Sequence, residues 1–257
     1  MSVSACYTYA VARPFDIESA GRIRGVDDAA IRLLRYRDIV AVSSAMPPEA
    51  AEETAVRARL ETLESVEAMA RTHHAVVEAV AARTVAIPFR LATIHHDERR
   101  VIDLLRHRHA EFDATLNRLA GRVEIGVKVY VDVSAASPAI VASGSASPGR
   151  DYLRTRRAER VQRDQASREA VDVAGRVDAA LAEFAVERTR HRPQAAQLRD
   201  DRAENILNAA YLVDVSELPA FHSLVRRVGT DSPGVRIEVT GPWPPYSFAG
   251  PDLGGEP

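Results

Sequence analysis

Val3, Ala5, Tyr7, Tyr9 and Val11 alternate with smaller or polar residues, the period of a half-buried strand, and Pro14 ends it. The short β-branched run Ile39-Val40-Ala41-Val42 predicts a second strand, stopped by Pro47-Pro48, and the two runs suggest a strand pair. From Glu49 to about Ala82, apolar residues recur at Val56, Leu60, Leu63, Val66, Met69 or Ala70, Val76 or Val77, and Val80, with Glu and Arg on the other side. That spacing predicts one long helix or two. Val85 to Phe89 reads as a short buried strand or extended link, because Pro88 keeps its predecessor out of helical angles. Asp97 is a suitable N-cap for a helix that carries Val101, Leu105, Phe112, Leu116 and Leu119 on one stripe, with Gly121 closing it.

The second half opens on the clearest strand pattern, in which Val123, Ile125, Val127, Val129, Val131 and Val133 alternate with Glu124, Gly126, Lys128, Tyr130 and Asp132. Ala135 to Gly149 is small, Ser-rich and interrupted by Pro138 and Pro148, as in a linker or surface loop. A long helix follows from Arg150 to about Phe184. Ala170, Ala174, Val177, Leu181 and Phe184 form its buried stripe, and its first half is almost all charged. A weak strand near Val186 to His191, a better one through Leu207, Ala209, Tyr211, Val213 and Val215, a helix from Ser216 to Val228 and a last strand at Val235, Ile237 and Val239 complete the series. Strand, helix, strand, strand, helix, strand is the split βαβ order, so the sequence predicts an α+β protein of two domains. An N-terminal α+β domain covers about 1–120. A ferredoxin-like domain with a long first helix covers about 121–240, and a Pro-rich aromatic tail runs from 241 to 257.

Composition narrows the class. A chain of 257 residues with 46% hydrophobic and 27% charged residues can bury a substantial core and is far from the composition of a disordered segment. The formal net charge of −2 gives no global field of the kind that draws a protein onto nucleic acid or an anionic membrane. Cys6 is the single cysteine, which fits a reducing compartment, and no run of about 18 apolar residues occurs. These features lead to the expectation of a soluble, cytoplasmic protein.

The tail Gly241-Pro242-Trp243-Pro244-Pro245-Tyr246-Ser247-Phe248 presents the chain's only Trp and two more aromatics in an extended geometry that three prolines preset. Two roles are open to it: folding back over an exposed sheet or domain junction, or docking another protein through rigid aromatic anchors. This string immediately after a terminal strand resembles the C-terminal signature of the GvpF/GvpL gas vesicle proteins. The likeness extends along most of the chain. Tyr7-Thr8-Tyr9-Ala10-Val11 is similar to the family's opening strand, Ile87-Pro88-Phe89-Arg90-Leu91-Ala92-Thr93 to its central motif, Glu124-Ile125-Gly126-Val127-Lys128-Val129 to its Glu-Trp-Gly-x-Lys strand, and Pro148-Gly149-Arg150-Asp151-Tyr152-Leu153 to its Gly-x-x-Tyr-Leu helix start. Ala92 stands where the family usually has Gly, Leu91 where it has Phe, and Ile125 where Trp is common.

The resemblance implies a minor structural or assembly protein of gas vesicles, in the cytoplasm and associated with the vesicles, that binds the main shell protein and other accessory proteins. It implies no catalytic residue and no cofactor. Trp243, Tyr246 and Phe248 are the expected partner-binding or domain-locking anchor. Arg90 and Thr93 are expected as a polar pair beside the domain junction, and Tyr152 and Leu153 as anchors of the helix start.

Other constellations carry less. The histidines His73-His74, His95-His96, His107 and His109 lack the spacing of a metal site, since adjacent residues on a helix point about a hundred degrees apart. The Arg-rich stretch Arg150 to Arg168 has acidic residues interspersed and no stacking aromatics, so a solvated face is preferred to a nucleic-acid surface. No phosphate-binding Gly loop and no G-x-S-x-G turn appears. The alternative is a metal- or small-molecule-dependent enzyme with a site between the two domains.

Overall fold

The structure, a computed structural model, describes residues 4–16, 23–132, 148–193, 203–230 and 235–250. The Ser-rich stretch expected as a linker lies outside them up to residue 147, as does the tail beyond residue 250. The chain divides into two compact units, residues 1–124 together with 243–257, and residues 125–242.

In the first unit the apolar runs form β1 (Ala5–Ala12), β2 (Ile31–Tyr36) and β3 (Ile39–Met46), followed by helices α1 (Pro48–Ala51), α2 (Glu53–Glu61) and α3 (Leu63–Ala81). Two short strands, β4 (Ala86–Pro88) and β5 (Ile94–His95), precede α4 (Glu98–His107) and α5 (His109–Leu119). The sheet order is β2-β3-β1-β4, with β5 also on β1, and every pairing within it is antiparallel. β2 has no clear alternation, and neither it nor the two-residue β5 follows from the pattern of apolar positions. A turn at Arg37, with φ 52°, returns it onto β3 in the register Tyr36↔Ile39.

β1 is buried at all eight positions, so it is a central strand covered on both faces and not the half-buried strand its alternation suggests. Tyr7, Tyr9, Val40 and Val42 share a core with Met69, Val76, Val77 and Val80 of α3. α4 and α5 bury Val101, Leu105, Phe112, Leu116 and Leu119, with α4 packed on β2 and β3 and α5 on β3 and β4. Asp97 caps α4 as expected, its side chain accepting from the Arg100 amide at 2.8 Å. The helical stripe from Val56 onward is covered only in part. The backbone is extended at Glu52 and Thr62, which splits the stretch into three helices, and Leu60 and Leu63 are 43% and 82% exposed.

In the second unit β6 (Arg122–Asp132), α6 (Pro148–Ala182), β7 (Ala185–Arg190), β8 (Ala203–Asp214), α7 (Leu218–Thr230) and β9 (Val235–Trp243) follow in that order. The four strands are arranged β7-β8-β6-β9. Ile125, Val127 and Val129 of β6 are buried, as are Val177 and Leu181 of α6 and Phe221 of α7. Gly126 has a steric reason: a Cβ there would fall 2.6 Å from the Thr240 hydroxyl of β9. Asp178 of α6 is buried and links the helix to the sheet. Its carboxylate accepts from the Tyr211 hydroxyl at 2.6 Å, from Arg188 Nη1 at 2.9 Å and from Arg190 Nε at 3.0 Å.

Candidate functional site

The C-terminal segment belongs to the first unit and seats against α3. β9 continues through Gly241 and Pro242 to Trp243, so the extended geometry set by the prolines begins as strand. After Pro244 and Pro245 the chain turns as a single 3₁₀ turn, Tyr246–Phe248. Two contacts hold that turn. The Glu124 carboxylate accepts from the Ser247 amide and from the Ser247 hydroxyl, each at 2.7 Å. Arg118 Nη2 donates to the Phe248 carbonyl at 2.7 Å. Both are charge-assisted bonds, stronger than neutral ones, and they satisfy backbone groups that a short turn leaves open.

The aromatics diverge in their surroundings. Phe248 is buried, and Tyr246 packs against the core of β1, β3 and α3. Burial pushes the Tyr246 phenol above its ordinary pKa, so it stays protonated and can donate. Trp243 remains 37% exposed and sets its indole edge-on to His74, ring centres 5.3 Å apart; Tyr246 lies on the same imidazole at 6.1 Å, its hydroxyl 3.5 Å from Nδ1. The adjacent histidines therefore divide as helical geometry requires, His74 toward the tail and His73 into the core.

His73 closes a buried chain of hydrogen bonds. Its Nε2 lies 3.2 Å from the Phe89 carbonyl, which only accepts, so Nε2 carries the proton and Nδ1 accepts from the Tyr7 hydroxyl at 3.0 Å. The Tyr7 oxygen accepts in turn from the Ala92 amide at 3.0 Å. Desolvation, partly offset by the Phe89 bond, lowers the His73 pKa to about 4, and the ring is neutral near pH 7. This chain fixes the segment Phe89 to Thr93 onto β1 and α3. Ala92 within it has φ 61°, a left-handed conformation that glycine adopts without the Cβ penalty.

Arg90 and Thr93 sit in that same segment but do not meet through their side chains. Arg90 is exposed, whereas Thr93 is buried and donates its hydroxyl to the Arg90 carbonyl at 2.7 Å. The Thr93 carbonyl also accepts from the Thr8 amide at 2.9 Å, which makes Thr93 part of the sheet edge. Tyr152 and Leu153 fall near the start of α6, and their side chains lie outside the described residues. Trp243, Tyr246 and Phe248 are thus brought together with His74, Glu124 and Arg118, while Arg90 and Thr93 occupy a separate segment. The sequence reading did not select Glu124 or Arg118. Glu124 sits where strand alternation assigns a polar face; its place at the head of the Glu-x-Gly-x-Lys stretch is the one sequence signal that marks it, and its contact with Ser247 gives it a role.

Among the described residues no three His, Cys, Asp or Glu side chains converge as a metal site would need, and no helix is long and apolar enough to cross a membrane.

Two sheets flanked by helices, with an aromatic C-terminal segment bound to α3, define a mixed α/β protein. The family model described as gas vesicle synthesis protein GvpL/GvpF matches residues 5–250. The chain belongs to that family, and its role is a gas vesicle-related one. Gas vesicle protein L of Streptomyces sp. (strain CB03234) is 44% identical over 249 residues, covering 95% of this chain and 92% of the relative. Gas vesicle protein F1 of Halobacterium salinarum is 27% identical over 251 residues, covering 97% and 95%. The crystal structure of the gas vesicle protein GvpF from Anabaena sp. PCC7120 superposes with a TM-score of 0.69 at 19% identity, covering 98% of this chain and 99% of that one. The GvpF structure from Microcystis aeruginosa gives 0.65 at 18% identity, covering 96% and 99%. At these identities the two structures show a shared fold.

Proposed function

We propose that this protein works by binding and not by turnover, holding other gas vesicle proteins, the main shell protein among them, while vesicles form in the cytoplasm. Family membership supports the setting. The observation that carries the mode of action is Trp243: a large indole, more than one third exposed, set on a segment whose Tyr246 and Phe248 are packed inward and whose turn is pinned by Glu124 and Arg118. A rigid, part-exposed aromatic on a pre-ordered segment is a low-entropy-cost anchor for a partner. Tyr246 and Phe248 then serve to lock the segment, and Trp243 meets the partner. Arg90, exposed on the segment that Thr93 holds, and the α6 start at Tyr152 and Leu153 are further contact points in this reading. The second unit is the ferredoxin-like module, its strand order β7-β8-β6-β9 agreeing with the split βαβ arrangement.

Co-purification of the shell protein with the tagged full-length chain tests this. Trp243→Ala is expected to reduce the captured shell protein by at least about tenfold, the scale of one aromatic anchor, while the thermal midpoint falls only slightly. Capture that is equal for wild type and Trp243→Ala would remove Trp243 from the interface.

A further inference from the structure

The first unit carries an apolar face that its own core does not use. No residue of α2 is buried, and Leu60 at its end and Leu63 at the first position of α3 are 43% and 82% exposed. Carboxylates flank them in the sequence. Glu53 and Glu67 are paired within their helices to Arg57 and Arg71, but Glu61 and Glu64, both exposed, have no ion pair among the described residues. An exposed pair of leucines between unspent carboxylates is a surface suited to a cationic helix with an apolar centre.

The chain itself supplies such a helix. On α6, Arg157, Val161, Gln165 and Arg168 follow at intervals of four, four and three, which is one helical stripe, and all four are exposed, Val161 at 57%. Arg160 lies beside Val161. Arg157, Arg160 and Arg168 have no ion pair among the described residues, as is also true of Glu61 and Glu64. Glu159 and Asp164 are interspersed in the stretch, and Val161 stays exposed beside the arginines, where it contributes no burial unless something covers it.

We propose that the face formed by Leu60, Leu63, Glu61 and Glu64 in one molecule receives the Arg157–Arg168 stripe of α6 from a second copy of the same chain. Leucines meet Val161, and guanidinium groups meet carboxylates around them. The net charge of −2 sets no general repulsion against approach. One helix laid on another covers less area than a permanent interface needs, so the association is weak, reversible and dependent on salt. This inference concerns the isolated protein and does not rest on its partners in the vesicle.

The test is sedimentation velocity of the full-length protein over about 10 to 100 µM, in about 50 mM and about 500 mM salt, since screening at the higher value confines charge interactions to a few ångströms. The wild type is expected to show an average mass above the monomer at low salt, with association at least about tenfold weaker at high salt. Two charge-reversed proteins accompany it, one with Glu61→Arg and Glu64→Arg, the other with Arg157→Glu and Arg160→Glu. All four positions are exposed, and unchanged thermal midpoints show that both variants fold. Each variant alone is expected to be monomeric, and their equimolar mixture to associate again, because each then offers the sign the other lost. A monomeric wild type at low salt would overturn the proposal and leave the face to a different protein. Association that survives either reversal, or a mixture that stays monomeric, would overturn it as well.

Discussion

The His73 ring is neutral for a structural reason, and that gives the molecule a pH dependence that can be assigned to one residue. Its folded pKa of about 4 lies below the ordinary 6.5, so the unfolded chain binds a proton there more readily than the folded one. The stabilisation is complete above about pH 6.5 and is lost as pH falls toward about 4; a depression of this size corresponds to about 3 kcal/mol. Urea midpoints of wild type and His73→Gln, measured from pH 7 to pH 4, check it. The difference between the two proteins is expected to shrink on acidification, because the variant has no imidazole to protonate. A difference that stays constant with pH would contradict the assignment. Ala92 is the companion case. The Tyr7 hydroxyl that bonds His73 also takes the Ala92 amide, and the left-handed backbone there explains physically why glycine would suit this position.

At the scale of elements, the second unit depends on the buried Asp178. Burial raises the pKa of its carboxyl, but the Tyr211 hydroxyl and the Arg190 and Arg188 guanidinium groups more than offset this and hold it below the usual carboxylate range. Asp178→Ala would leave the buried Tyr211 hydroxyl without its acceptor and remove the polar link from α6 to β7 and β8, a cost of about 2–3 kcal/mol. Chemical denaturation of the variant measures it, and a loss below about 0.5 kcal/mol would mean the network contributes little.

Strong alternation made β6, β8 and β9 legible in the sequence, and the N-cap at Asp97 was legible because one side chain and one amide three residues on decide it. β2 was not, since its burial is set by pairing with β3 and by a left-handed turn at Arg37, neither of which local periodicity encodes. The exposure of Leu60 and Leu63 was also hidden: periodicity marks a stripe as apolar without saying what covers it. For the candidate site, the aromatic residues of 243–248 stood out by composition. The surface that receives them did not, because Glu124, Arg118 and His74 are joined to the tail only by the fold.

At the scale of the whole molecule, family membership sets a gas vesicle-related role. The central claim is that vesicle formation needs this protein as a binder, with Trp243 as its contact. Its most direct test is to delete the gene from cells that make gas vesicles, restore either wild type or Trp243→Ala, and measure the yield of floated vesicles. The account predicts that deletion abolishes or strongly reduces floated vesicles, that wild type restores them, and that Trp243→Ala, present at equal abundance, does not. A normal yield of floated vesicles without the protein would contradict it.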